Sequence, residues 1–162
     1  MKTTSVIVRS MVVPLWLLSS VNSLAALQFD GSNDYVTFGP ATNSPGALGV
    51  TNFTIECWLK RTGAGATAST GTGGITAVPL VTKGRGEADG DNRDMNWFLG
   101  FTSAGVLTAD FEDRNSGLNH PVTGTTAAGS NVWQHAAVTY AQDGTNGTWV
   151  VYLNGVPDKT NT

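Results

Sequence analysis

Two stretches of the sequence carry acidic side chains at spacings that could support acid–base chemistry. In Asp110-Phe111-Glu112-Asp113, the side chains of Asp110 and Glu112 share one face if the segment is a strand. Glu87-Ala88-Asp89-Gly90-Asp91 lies instead in a glycine-rich connector. Retaining glycosidases hold two carboxyl groups about 5 Å apart. A glycine-rich connector would not fix that separation, and no third acid is in step with Asp110 and Glu112. We therefore expect no catalytic site in this chain.

A histidine two residues after a tryptophan, in Trp133-Gln134-His135, is a second candidate for chemistry. Strand alternation puts Trp133, His135, Ala137 and Thr139 on one face. His135 could be a catalytic or ligand-binding group, or a packed, hydrogen-bonded part of the sheet. We favour the structural interpretation, since the chain has no Gly-x-Ser-x-Gly nucleophile motif for a histidine to serve. That interpretation predicts that His135→Ala lowers stability and leaves ligand affinity nearly unchanged.

The single cysteine, Cys57, excludes an intramolecular disulfide. It lies in step with Phe53, Ile55 and Leu59 along a predicted strand. This pattern indicates a small buried apolar side chain and not a nucleophile.

The first 25 residues have the layout of a secretory signal peptide. Lys2 and Arg9 precede an apolar run over residues 10–18. The small residues of Ser23-Leu24-Ala25 offer a cleavage site after Ala25. A membrane anchor is the alternative, but the run is about half of the ~20 residues that a bilayer requires. Without Lys2 and Arg9, seven basic residues stand against 12 acidic ones, a net charge of −5. We expect a secreted or cell-surface protein that binds no nucleic acid and does not insert into a membrane after signal removal.

Residues 26–162 show apolar alternation with a period of two and no helical spacing. The predicted strands are Ala26–Phe29, Tyr35–Phe38, Phe53–Lys60, Val78–Thr82, Asn96–Thr102, Gly105–Glu112, Trp133–Ala141 and Thr148–Asn154. Two connectors interrupt them: Thr62–Gly74, predicted to be a mobile surface loop, and the acidic Gly84–Asp94. Short strands without helices between them predict one all-β domain, an antiparallel β-sandwich of jelly-roll type.

Four segments in order carry a family resemblance: ALQFDGSNDYVTFG (26–39), FTIECWLKR (53–61), LVTKG (80–84) and WQHAAVTY…TWVVYLNG (133–155). Together they resemble the laminin-G-like jelly roll of the concanavalin A-like lectin/glucanase superfamily. The resemblance implies that the segment with Trp133 and His135 is a sheet strand. It also implies that the partner strand ends in a tight turn at Asn154-Gly155, which requires positive φ.

The fold hosts lectins, adhesion modules, accessory domains and hydrolases, so it does not by itself fix the function. Retaining glucanases of the superfamily carry Glu-x-Asp-x-x-Glu on one strand. The nearest string here begins at Glu87 and has Asn92 where the second glutamate should stand.

Related jelly rolls often hold a structural calcium ion beside the first hairpin. Oxygen ligands for Ca²⁺ could come from Asp30, Gly31, Asn33 and Asp34. The alternative is a turn in which these side chains bond their own backbone and no metal is bound. Asp89, Asp91 and Asp94 form a second acidic set, but Arg93 stands where an EF-hand needs an oxygen ligand.

A ligand surface is predicted from exposed aromatic and polar side chains. Aromatic rings in strands could stack on sugars; the candidates are Trp97, Trp149, Tyr35 and Tyr152. The segment 111–121 gathers polar groups that could form a rim, or could be an ordinary connector; they are Asp113, Arg114, Asn115, Asn119 and His120.

We predict a non-catalytic binding module of an exported protein, with carbohydrate or an extracellular protein as its partner. The alternatives are an accessory domain of a secreted hydrolase and a structural spacer in an adhesin-like protein. Family members continue past the Asn-Gly turn through further strands, whereas this chain ends in the polar run Asp158–Thr162. We therefore expect a fragment of a longer reading frame, incomplete at its C-terminus, in which Ala26–Phe29 or its neighbour has unpaired backbone groups.

Overall fold

The structure, a computed structural model, describes residues 26–37, 48, 50–84, 95–113 and 116–162. The strands within these residues are β1 (Phe53–Lys60), β2 (Ala68–Ser69), β3 (Thr76–Gly84), β4 (Met95–Phe101), β5 (Val106–Asp110), β6 (Glu112–Asp113), β7 (Leu118–Asn119), β8 (Val122–Ala127), β9 (Trp133–Asp143), β10 (Asn146–Leu153) and β11 (Val156–Asn161). One sheet has the order β1-β9-β10-β11 and the other β2-β3-β4-β5-β8, while β6 and β7 form a small hairpin. This part of the chain contains no helix long and apolar enough to cross a membrane.

The core lies between the two main sheets. Ile55 on β1, Val138 on β9 and Val151 on β10 face Leu99 on β4 and Leu107 on β5 within one apolar cluster. Every strand pair among the described residues is antiparallel. The predicted all-β sandwich is therefore confirmed.

Six of the predicted strands are present with small shifts of their ends. β1 has the predicted bounds, and β9 and β10 extend towards each other until only Gly144 and Thr145 separate them. The predicted strand Gly105–Glu112 is divided at Phe111 into β5 and β6. The turn after β10 has φ of 54° at Asn154 and 77° at Gly155, as a two-residue hairpin turn requires.

The predicted strand Ala26–Phe29 is wrong, and Tyr35–Thr37 is not a strand either. Phe38 lies outside the described residues. Leu27, Tyr35 and Val36 are exposed, and no described strand pairs with either segment. Without a partner strand there is no hydrogen-bond ladder, so the apolar alternation alone did not produce a strand here.

The sequence did not predict β8 and β11, nor the two-residue strands β2 and β7. β11 covers most of the polar run Asp158–Thr162, for which no strand was predicted, and it pairs with β10. β8 (VTGTTA) consists mostly of Thr and small residues, and β11 (VPDKTN) is mostly polar, so neither shows the apolar alternation that identifies a half-buried strand.

The predicted mobile loop Thr62–Gly74 also needs correction. It contains β2, which pairs with β3, and the side chain of Thr70 is fully buried. The segment therefore packs on the second sheet instead of extending into solvent.

Candidate functional site

Two exposed tryptophans lie on the outer side of the first sheet. β9 turns Gln134, Ala136 and Val138 towards the core, so Trp133 and His135 point outwards. On β1, Trp58 shares the outer side with Glu56 and Lys60. The strand register sets Trp58 opposite His135 and Lys60 opposite Trp133.

Trp58 and Trp133 are diagonal neighbours in this register, a spacing of roughly 7–8 Å or less that aromatic side chains can span. Trp58 is 69% exposed and Trp133 is 56% exposed. The His135 ring lies 5.4 Å from the Trp58 ring, and its Nε2 is 3.5 Å from Glu56 Oε2. We call the surface formed by Trp58, Trp133 and His135 the tryptophan face.

The tryptophan face corrects part of the sequence interpretation. The segment 133–143 is a sheet strand, as the resemblance implied. Trp133, however, is not packed inside the domain, because the residues of β9 that face the core are those on its other side. Trp58 was missed, although its alternation with the charged Glu56 and Lys60 already indicated an outward-facing ring.

The four aromatic residues predicted to bind a ligand occupy different environments. Trp149 is 3% exposed and belongs to the core, packed edge-on against Phe53. Trp97 packs against the same core, and its indole Nε1 donates to the Leu48 carbonyl at 3.2 Å. Tyr35 is exposed in an irregular segment, and Tyr152 is half-buried on the outer side of β10. Trp149 is therefore removed from the candidate surface.

The acids predicted to share a strand face, Asp110 and Glu112, are both buried. Asp110 Oδ2 accepts a hydrogen bond from Thr70 Oγ1 at 2.6 Å, and Oδ1 accepts one from the His120 amide at 2.9 Å. Burial raises the pKa of Asp110 to about 6, against the opposing effect of these hydrogen bonds and with added repulsion from Glu112. The Thr70–Gly74 segment covers Asp110 so closely that a Cβ on Gly74 would lie 2.7 Å from Oδ2. Asp110 thus fastens the covering segment to the sheet.

The predicted polar rim in 111–121 forms the β6–β7 hairpin. Asn119 Nδ2 donates to the Thr72 carbonyl at 3.2 Å, and the His120 ring stacks on Phe111 at 4.7 Å. Asp113 accepts from the Ser116 hydroxyl at 3.1 Å. Arg114 and Asn115 lie outside the described residues. These contacts bind the hairpin to its own neighbours instead of gathering its side chains around a ligand.

The predicted calcium ligands form a turn held by its own side chains. Asp34 Oδ2 accepts from the Asp30 amide at 2.9 Å, and Asp30 Oδ1 accepts from the Ser32 amide at 2.7 Å. The Gly31 carbonyl accepts from the Ala66 amide at 2.8 Å. Asn33 lies in the same exposed turn. Across the described ranges, no three His, Cys, Asp or Glu side chains converge as a metal site would require. The second acidic set, Asp89, Asp91 and Asp94, lies outside those ranges.

Cys57 faces the core from β1 and is half-buried. Burial raises the pKa of its thiol, which keeps the sulfur protonated and unreactive at neutral pH.

Two antiparallel sheets packed around a shared apolar core define a β-sandwich of the jelly-roll class. The family model for laminin-G-type domains of the concanavalin A-like lectin/glucanase superfamily matches residues 30–162. The chain belongs to this family, which confirms the resemblance predicted from the four segments. Such domains generally bind carbohydrates or extracellular proteins and are typically extracellular. Neither a curated protein nor a solved structure matches the chain significantly.

Proposed function

We propose that this domain is a non-catalytic carbohydrate-binding module of an exported protein, and that the tryptophan face is its binding surface. The observation that carries the proposal is the exposure of two tryptophans on neighbouring strands, at 69% for Trp58 and 56% for Trp133. A large ring left in water loses the free energy that its burial would supply. Adjacent exposed aromatic side chains therefore favour a ligand that covers them.

A pyranose ring fits the chemistry of this surface. One side of the sugar ring presents C–H groups that stack on an indole, and its hydroxyls bond to polar groups at the edge of the contact. Glu56 supplies acceptors, Lys60 supplies donors, and the His135 imidazole can supply one of each. All three lie on the outer side of the same two strands.

Burial of Asp110 and Glu112 supports a non-catalytic role. These are the acids that alternate along one strand face, and neither has the solvent access that a hydrolase requires for its substrate and water. Export is supported by the signal-like layout of residues 1–25, which lie outside the described part of the chain.

A glycan array on the wild-type chain identifies the ligand, and affinity electrophoresis in that glycan measures the variants. We expect Trp58→Ala and Trp133→Ala each to weaken binding at least several-fold without changing the unfolding midpoint. Tyr35→Ala is the matched control, because Tyr35 is an 80% exposed ring in an irregular segment. Glycan binding that both tryptophan variants retain in full would contradict the proposal.

A further inference from the structure

A cleft lies at one end of the β1–β9 pair, next to the tryptophan face. Three connections meet there and enclose an open cleft of about 300 Å³. They are the segment after β1, the β4–β5 turn and the β8–β9 turn. The cleft is lined by Arg61, Thr62, Gly63, Ala64, Gly65, Thr67, Val78, Ser103 and Ser130. Its volume is at the lower end of the range for small-ligand sites.

Backbone hydrogen bonds fix the walls of the cleft. The Asn131 amide donates to the Arg61 carbonyl at 2.8 Å, and the Ala128 amide donates to the Gly105 carbonyl at 2.9 Å. The Ala66 amide donates to Gly31 at 2.8 Å. Gly65 has φ of 78°, and a Cβ there would lie 2.7 Å from Val78 Cγ1. The cleft is therefore held in shape before a ligand binds, which lowers the entropy lost on binding.

Arg61 is the charged residue of the cleft lining. Its guanidinium carbon lies 5.8 Å from the centre of the Phe101 ring, and a Cβ on Gly105 would lie 2.3 Å from Nη1. Phe101 and the bare Gly105 backbone thus hold the guanidinium in place. Within the described part of the chain, the guanidinium makes no ion pair and no hydrogen bond. Stacking engages the face of the guanidinium, so its N–H donors remain available in the plane of the group.

The chemistry of the lining selects an anionic ligand. The hydroxyls of Thr62, Thr67, Ser103 and Ser130 can donate to oxygen atoms, and among the described residues that line the cleft there is no carboxylate to compete for the cation. Guanidinium binds carboxylate and sulfate oxygens through paired N–H donors. Val78 contributes an apolar wall.

The cleft and the tryptophan face meet along the chain. Arg61 directly follows Lys60, the register partner of Trp133, and Asn131, which bonds the Arg61 backbone, precedes Trp133 by two residues. We infer that the Arg61 cleft binds the carboxylate or sulfate group of an acidic polysaccharide whose neighbouring sugars stack on the tryptophan face. This inference rests on the proposed function and names its ligand class.

The test compares two pairs of probes on the full chain by isothermal titration at low salt. Oligogalacturonate is compared with its carboxyl-reduced neutral form, and dextran sulfate is compared with dextran. We expect the acidic member of at least one pair to bind at least tenfold more tightly than its neutral counterpart. The pair that shows the difference identifies carboxylate or sulfate as the group recognised. Rising NaCl should weaken the acidic binding.

Arg61→Met keeps an apolar stem against Phe101 and removes the charge, and we expect it to abolish the preference for the acidic probe. Arg61→Lys keeps the charge and loses the paired donors, so it should retain a part of the preference. Lys159→Met is the matched control: it removes one charge from an exposed residue of β11, outside both the cleft and the tryptophan face, and should preserve most of the preference. Unfolding midpoints of all variants verify that each is folded. If Arg61→Met does not fold, Arg61→Lys still tests the role of the paired donors.

The outcomes separate this inference from the proposed function. Equal affinity for acidic and neutral probes, or an acidic preference that survives both Arg61 variants, would overturn the inference and leave the proposed function intact. Suppose that binding of the acidic probe requires Arg61 but is unchanged in both Trp58→Ala and Trp133→Ala. That result would support the role of the cleft and overturn the role of the tryptophan face. No binding to any of the four probes would overturn the inference, and an empty glycan array would then overturn the proposed function as well.

Discussion

Asp158 on β11 and Thr126 on β8 join the edges of the two sheets. The Thr126 hydroxyl donates to Asp158 Oδ1 at 2.6 Å, and its amide donates to Oδ2 at 3.1 Å. Thr125 adds a bond from its amide to Oδ2 at 2.8 Å and one from its hydroxyl to Oδ1 at 2.9 Å. A Cβ on Gly124 would lie 2.1 Å from Oδ2, so glycine is needed for this close approach. One carboxylate therefore closes this side of the sandwich.

We expect Asp158→Ala to lower the free energy of unfolding by about 1–3 kcal/mol, because four donors lose a charged acceptor. Burial alone would raise the pKa of Asp158, but the hydrogen bonds from Thr126 and Thr125 outweigh it and lower the pKa. The stabilisation is therefore present above the unfolded pKa near 3.9 and is lost as the pH falls through the lower folded value. Urea unfolding at pH 7 and at pH 3 measures both effects. Lys159→Ala, on the adjacent exposed residue, is the control, and equal losses in the two variants would contradict the assignment.

The raised pKa of Asp110 predicts that stability depends on pH in the opposite direction. Its pKa is about 6 in the folded protein and near 3.9 in the unfolded chain, so the folded state retains the proton between these values. Stability should fall as the pH rises from 4 to 6, by about 2–3 kcal/mol in total.

Asp110→Asn should remove this slope. The amide can accept from the His120 backbone and donate to Thr70 Oγ1, whose own proton can turn to the Ile75 carbonyl at 3.3 Å. Urea midpoints across pH 4–7 measure the slope, with Asp143→Asn at the exposed end of β9 as control. A slope that persists in Asp110→Asn would exclude Asp110 as its source.

Because His135 lies on the outer side of the sheet, the effects that we expect of His135→Ala on stability and on binding are the opposite of those predicted from the sequence. His135 Nε2 lies 3.5 Å from Oε2 of the exposed Glu56, and this contact, which is an ion pair only when the imidazole is protonated, contributes less than about 1 kcal/mol. We expect His135→Ala to change stability by no more than that, and to weaken glycan binding because Trp58 loses the ring beside it. Glu56→Gln is the control for the loss of the ion pair. A large drop in melting temperature with unchanged glycan affinity would restore the structural interpretation.

Gly100 on β4 has no room for a side chain. A Cβ there would lie 2.4 Å from the Val78 carbonyl oxygen and 2.5 Å from the Phe98 ring. We expect Gly100→Ala to cost about 1–3 kcal/mol by overpacking. Gly63→Ala is the control, because its Cβ would meet nothing within 4 Å. Equal unfolding midpoints for the two variants would show that β4 shifts to admit the methyl group.

A structural calcium ion at the turn Asp30–Asp34 would raise the melting temperature in proportion to RT ln(1 + [Ca²⁺]/Kd). The two backbone bonds accepted by Asp30 and Asp34 already hold the turn in shape. Melting curves in EDTA and in millimolar Ca²⁺ therefore discriminate directly between an ion and a turn held by its own hydrogen bonds. Asp34→Asn identifies the turn as the source of any calcium-dependent rise, which should disappear in that variant.

The sequence predicted the strands that bury alternating apolar side chains. β1 was predicted to the residue, because Phe53, Ile55 and Leu59 alternate with polar neighbours. β8 and β11 could not be found in this way, because they are placed by pairing with β5 and β10 and by the bonds from Thr125 and Thr126 to Asp158, 33 and 32 residues later. The alternation of apolar residues within one segment does not identify a partner that lies so far away in the sequence.

The candidate site was less accessible to prediction than the fold. Trp58 could be assigned to the outer side from alternation, but its neighbour His135 follows only from the register of β1 against β9. The Arg61 cleft combines three connections that are distant in the sequence. The burial of Asp110 depends on Thr70, which lies 40 residues earlier.

The pairing of β1 with β9 has a consequence for biosynthesis. Phe53 pairs with Tyr140, 87 residues later in the chain. At ~5–20 residues per second, β1 leaves the ribosome roughly 4–17 s before this partner exists. During that time its apolar side, with Phe53, Ile55 and Leu59, has no β9 to pair with. Glu56 and Lys60 interrupt the apolar sequence on the other side, as gatekeeper residues do in aggregation-prone segments. Such long-range pairing also predicts folding on the slow, millisecond-to-second scale of β-sandwiches.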